Sequence, residues 1–140
     1  MDSVIYHNPD CGTSRNVLAL LTAAGYKPVI IDYIKTGWTK PQLIALFDAC
    51  GMTAREALRL TKSPAKELGL DDPAVSNDQI IDMMILHPVL VNRPIVHTKK
   101  GTKLCRPSET VLELFEHIPA GPFFKEDGSL LIDADGNLHL

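Results

Sequence analysis

Cys11 is the residue of this 140-residue chain best suited to covalent chemistry. It follows an apolar stretch, Val4–His7, and the turn pair Asn8-Pro9. It precedes Gly12-Thr13-Ser14, an ordinary helix-opening sequence. A sulfur in that loop meets unpaired backbone N–H groups and the positive end of the helix dipole, which favour an anion. A free thiol is only about 3% thiolate at neutral pH, and helix N-termini with nearby cations can bring its pKa to roughly 3.5–7.5. The sequence therefore predicts a lowered pKa and a nucleophilic Cys11. Gly12 would let backbone approach a ligand, and the Thr13 and Ser14 hydroxyls would complete an oxyanion cradle. Cys50, on the apolar face of a helix, and Cys105, in a strand, read as packing residues.

Spacing removes several alternatives. Ser14 stands where a Cys-x-x-Cys pair would have its second thiol, which argues against a dithiol oxidoreductase. A phosphatase loop needs arginine six positions after its cysteine, where this chain has Val17. The three cysteines and five histidines lack the short paired spacings of a zinc site, so no metal is expected.

The elements around Cys11 are legible from periodicity. A strand over Val4–His7, a helix over 13–24 with Val17, Leu18, Leu20 and Leu21 at helical spacing, and a buried strand over 28–34 make a βαβ unit with parallel strands. A helical stretch follows. Thr39-Lys40-Pro41 opens a helix closed by Gly51, and capping-box patterns at 53–56 and 76–79 open two more. Residues 89–91 and 94–97 read as extended, 99–101 as a turn and 102–105 as the returning strand, before a helix over 108–116. The tail carries two turn signals around Leu130, Leu131 and Ile132. The fold class is therefore α/β: βαβ, a helical insertion at about 39–87, then ββα, in one domain spanning 1–140.

Composition agrees. With 45% apolar and 22% charged residues, a chain of this length buries roughly 68% of its unfolded surface and needs no disulfide staple. An odd number of cysteines suits a reducing compartment, so a cytoplasmic location is expected. A formal charge of −3 argues against nucleic acid as the main partner. Residues 83–91, the longest strongly apolar run, fall short of a membrane span, and no secretory signal is visible.

The segment His7-Asn8-Pro9-Asp10-Cys11-Gly12-Thr13-Ser14-Arg15-Asn16 resembles the active-site signature of the glutathione- and glutaredoxin-coupled arsenate reductases. Leu90-Val91-Asn92-Arg93-Pro94-Ile95-Val96 and Gly101-Thr102-Lys103-Leu104-Cys105-Arg106-Pro107-Ser108-Glu109 resemble that family's two other characteristic stretches, and Lys125-Glu126-Asp127-Gly128 extends the match. The region 62–72 and the tail after Leu130 match less clearly. Asp10 is a departure, standing where a small residue is expected. The resemblance implies a thioredoxin-like mixed sheet flanked by helices, in which a cis-proline at Pro94 would face the cysteine.

It also implies roles. Cys11 matches the nucleophile. Arg59, Arg93 and Arg106 match the arginines that hold the oxyanion and its adduct, and three planar donor forks suit a tetrahedral anion. Arg55, one helical turn from Arg59, competes for that third place. His7, as a cation, and Ser14, as a hydrogen-bonding partner of the sulfur, match residues that support the thiolate. The implied activity is reduction of arsenate to arsenite, in arsenic detoxification, through a covalent adduct on Cys11. Glutathione would serve as co-substrate and glutaredoxin as partner, with no bound cofactor. Two other readings share the fold. A regulatory module binding RNA polymerase would usually keep a Cys-x-x-Cys switch. A monothiol glutaredoxin would explain Cys11-Gly12-Thr13-Ser14, but not the helical insertion or Asn92-Arg93-Pro94.

Overall fold

The computed structural model describes residues 3–140. These form β1 (Val4–His7), α1 (Gly12–Ala23), β2 (Val29–Asp32), α2 (Tyr33–Thr36), α3 (Lys40–Cys50), α4 (Ala54–Ala57), α5 (Asn77–Leu86), β3 (Ile95–Thr98), β4 (Gly101–Leu104), β5 (Phe123–Phe124) and β6 (Leu130–Ile132). Two 3-10 helices, Pro88–Leu90 and Ser108–Leu114, complete the order. Contacts divide the chain into two units: residues up to Ile31 with Arg93–Leu140, and the helical stretch Asp32–Asn92.

The first unit carries a four-stranded sheet in the order β2-β1-β3-β4. β1 and β3 are antiparallel, with Val4 opposite His97, and β3 and β4 form a hairpin with Ile95 opposite Leu104. Alternation along β1 buries Ile5 and His7 while Val4 and Tyr6 are only partly covered, the period-2 pattern of a strand with one well-buried face. Val17, Leu20 and Leu21 of α1 share a core with Ile5, Val96, Val111, Leu114, Leu131 and Ile132. Truncating Leu20, fully buried in that core, would cost about 2–5 kcal/mol. Tyr26 stacks on Phe115 at 5.2 Å between centroids. Gly25, at φ 87°, supplies the left-handed turn that ends α1. β5 and β6 pair as a small antiparallel hairpin.

In the second unit both expected capping boxes are present, and the helix expected to open at Thr39 carries a third. Thr39, Thr53 and Ser76 each accept from the N–H three residues on, with Gln42, Glu56 and Gln79 returning the bond. Lys40 ties α3 to α5 by pairing with Asp78 and Asp82, both at 3.0 Å.

The structure departs from the expected elements in three places. The strand expected over 28–34 is shorter, and it is an exposed edge rather than a buried strand, with Val29 61% and Ile30 52% exposed. Tyr33 leaves it for a helical turn because its hydroxyl donates to the Val91 carbonyl at 2.7 Å and its ring packs on Trp38. Residues 88–90 wind into a 3-10 turn instead of extending, and Val91 keeps one bridge, to Leu58. The helix expected over 108–116 is a 3-10 helix that ends at Leu114; it lacks a side-chain cap, and the Thr110 N–H bonds the Pro107 carbonyl three residues back. The Arg93–Pro94, Arg106–Pro107 and Gly121–Pro122 peptide bonds are cis.

Candidate active site

Cys11 is the residue immediately before α1, extended at φ −101° and ψ 120°. Its own N–H bonds the Asn8 carbonyl at 3.0 Å, closing the loop that follows β1. The sulfur is nearly enclosed, with 8% of the residue exposed. Burial is the largest single influence on this thiol and pushes its pKa up; the Ser14 N–H and the Arg93 and Arg106 guanidiniums together outweigh it, so the pKa lies below the ordinary thiol value. Cys11 makes no conventional side-chain cap, yet the Ser14 N–H, third in the helix, faces the sulfur closely enough to favour its anion.

The two arginines flank one hairpin and meet at its open end, away from the turn. Arg106 follows β4, and its Nη1 lies 3.6 Å from Cys11 Sγ and 3.1 Å from the Arg93 carbonyl. Arg93 precedes β3 and is 6% exposed. A guanidinium so deeply placed requires counter-charge, and the Cys11 thiolate is part of it. Two donor forks and a helix N-terminus converging on one sulfur can stabilise a thiolate and then hold the oxygens of a tetrahedral anion that it attacks.

His7 and Ser14 form a buried relay beside this centre. His7 Nδ1 meets Ser14 Oγ at 2.6 Å, and the same hydroxyl accepts from the Asn8 N–H at 3.1 Å. The part of Ser14 that faces the sulfur is thus its backbone N–H, while its hydroxyl is taken by His7 and the Asn8 N–H. Gly12 adopts helical backbone, and a Cβ there would meet Arg15 Nη2 and Glu126 Oε1 at 3.7 Å, ordinary contact, so no steric demand requires glycine.

Arg59 lies in the helical unit. Its N–H donates to the Leu90 carbonyl at 2.8 Å and its Nε to the Thr61 carbonyl at 2.9 Å. The neighbouring Arg55 is committed elsewhere: its guanidinium donates to the carbonyls of Leu70, Asp72 and Val75 and holds that loop. Cys50 also belongs to the helical unit, and burial pushes its thiol up to about 11. Cys105 is fully buried, and none of the three cysteines forms a disulfide. Among the described residues no three or more His, Cys, Asp or Glu side chains converge as metal ligands, and no helix is long and apolar enough to cross a membrane.

Sequence reasoning gave no role to Arg15, Asn16 or Glu126. Arg15 Nε and Nη2 pair both oxygens of Glu126 at 2.7 and 2.9 Å, beside the loop that carries Cys11. Both residues sat inside recognised motifs, but 111 positions separate them and no local pattern joins them.

Known proteins resemble this chain in sequence and fold. The ArsC family model matches residues 6–114. Arsenate reductase ArsI2 of Synechocystis is 64% identical over 134 residues, covering 96% of each chain. The arsenate reductase of Escherichia coli is 47% identical over 132 residues, covering 94% of each. Among solved structures, an arsenate reductase from Vibrio cholerae superposes with a TM-score of 0.77 at 39% identity, covering 82% of this chain and 98% of its own. The sheet and its helices are thus the thioredoxin-like fold of that structure.

Proposed function

The chain belongs to the ArsC family, and we propose that it is an arsenate reductase whose Cys11 thiolate attacks arsenic(V). The observation that carries this reading is the convergence of Arg106, Arg93 and the start of α1 on a nearly enclosed thiol. In the first step an S–As bond forms and an arsenate hydroxyl, taking a proton, leaves as water. The guanidinium forks of Arg93 and Arg106 hold the remaining oxygens; Arg59 matches the third arginine only through the sequence resemblance.

The electrons come from outside the chain. Ser14 occupies the local position of a resolving thiol, Cys105 is sealed in the core, and Cys50 stays protonated well above neutral pH. Glutathione thiolate attacks Cys11 Sγ; the new S–S bond forms as the S–As bond breaks, and its electron pair remains on arsenic, giving arsenite. A glutaredoxin thiol then takes the glutathione from the mixed disulfide and restores Cys11. Two thiols are oxidised for each arsenic reduced, and no bound cofactor or metal takes part. Phosphate shares arsenate's shape and charge but is not reduced by thiols, so discrimination lies in the chemistry rather than in binding. A reducing cytoplasm supplies the partners.

NADPH oxidation with glutathione, glutathione reductase, glutaredoxin and arsenate, each left out in turn, tests this. The expected result is a rate that needs arsenate, glutathione, glutaredoxin and Cys11. Arsenate-dependent oxidation that persists in Cys11→Ser, or no such rate from the folded wild-type protein, overturns it.

A further inference from the structure

All three nitrogens of the Arg15 guanidinium are engaged. Nε and Nη2 take the two oxygens of Glu126, and Nη1 donates to the Pro9 carbonyl at 2.7 Å. Glu126 is itself held: its N–H donates to Asn16 Oδ1 at 3.0 Å, its neighbour Lys125 pairs with Glu109, and the turn is closed by the Lys125 N–H on the Ser129 carbonyl at 2.8 Å. The pair stands directly over Gly12, the residue after the nucleophile, and Pro9 is two residues before it. Loop 8–12 is therefore gripped from one side by Arg15 and closed from within by the Cys11 N–H on the Asn8 carbonyl.

We propose that Arg15 and Glu126 act as one pair of positioning residues: Glu126 orients Arg15, and Arg15, through the Pro9 carbonyl, holds loop 8–12 so that Cys11 faces the Ser14 N–H and Arg106. The inference rests on Cys11 being the nucleophile, not on which oxyanion it attacks. Both side chains are nearly half exposed, at 43% and 46%, and such a pair adds little to global stability; its effect is read at the sulfur. The charged groups shown to bear on Cys11 are Arg93 and Arg106, with Arg15 farther out; His7 meets the Ser14 hydroxyl.

Iodoacetamide alkylation of Cys11 as a function of pH is the test. It uses Arg15→Gln, Glu126→Gln and Glu126→Asp, singly and with the Arg15→Gln/Glu126→Gln double variant, beside thermal melts. Salt of about 0.5 M, where the Debye length is roughly 4 Å, suppresses direct charge effects. A positioning pair predicts that every single variant slows alkylation near pH 6 by about 3- to 10-fold, as expected for a misplaced reacting group. The double variant is then no slower than the slower single. Charge alone would move Arg15→Gln and Glu126→Gln in opposite directions and leave Glu126→Asp unchanged. Either that pattern or wild-type rates in all variants, whatever their melting temperatures, overturns the proposal. The readout needs no arsenate, so it stands apart from the test of the reaction itself.

Discussion

Replacing Arg106 with alanine removes one of the two cations that face the nucleophile, its Nη1 3.6 Å from Cys11 Sγ. Two unit charges at that separation attract by between about 4 and 5 kcal/mol at an effective dielectric of 20. Arg106 is only half-buried, so water screens much of this and enters the space the side chain leaves. A net loss of roughly 1–2 kcal/mol of thiolate stabilisation remains, which lowers the thiolate fraction about 5- to 30-fold wherever the thiol is still titrating. The assay is the iodoacetamide rate against pH, with Cys11→Ser as blank. Cys105 is sealed and Cys50 is pushed up to about 11, so the reaction near neutral pH reports Cys11. The whole rate profile should move to higher pH, with Arg106→Lys between wild type and alanine because it keeps the charge and loses the fork. An alanine variant that alkylates with the wild-type profile would refute the claim that this guanidinium sets the nucleophile.

The Cys11 pKa also links to folding. Its folded value is depressed, so between that value and the ordinary thiol value the unfolded chain binds more protons and stability rises with pH; below the folded value the contribution is gone. The difference in unfolding free energy between wild type and Cys11→Ser, from urea titrations, should widen in favour of the wild type as the pH rises toward the ordinary thiol pKa of about 8.5, and a constant difference contradicts this. Ser14→Ala removes the hydroxyl shared by His7 Nδ1 and the Asn8 N–H. It should cost about 1–3 kcal/mol of stability, yet slow alkylation less than Arg106→Ala because the N–H facing the sulfur stays; a larger slowing would show that the hydroxyl acts on the thiolate. Gly121→Ala would put a Cβ 1.8 Å from the Asp133 carbonyl oxygen, a backbone atom with nowhere to go. A loss of about 1–3 kcal/mol or more in a denaturant melt is expected, and wild-type stability would contradict the close approach.

What could be read before any coordinates were the features written in short stretches of chain. The two capping boxes at 53–56 and 76–79, the helix start at Thr39-Lys40-Pro41, Gly25 and Gly51 after their helices, and β1 followed at once by α1 are local chemistry, and the structure has each. What could not be read was set by tertiary contact. Tyr33 abandons its strand for the Val91 carbonyl 58 residues away. β2 is apolar in sequence yet exposed, because edge or centre is decided by neighbours rather than by the strand. At the site, the position of Cys11 before a helix was legible from Gly12-Thr13-Ser14, whereas Arg93 and Arg106 entered through resemblance, since nothing local marks an arginine as facing a sulfur. The Ser14 hydroxyl turned to His7 and the Arg15–Glu126 pair could be seen only once the chain was folded.

Intact-mass analysis of the protein after one turnover with arsenate and glutathione, glutaredoxin omitted, tests the central claim most directly. The account predicts one glutathione on the chain, mapped by peptide digestion to Cys11, with one arsenite released per protein and nothing bound in Cys11→Ser. A disulfide joining Cys11 to Cys50 or Cys105, or arsenite released with all three thiols still free, would contradict it.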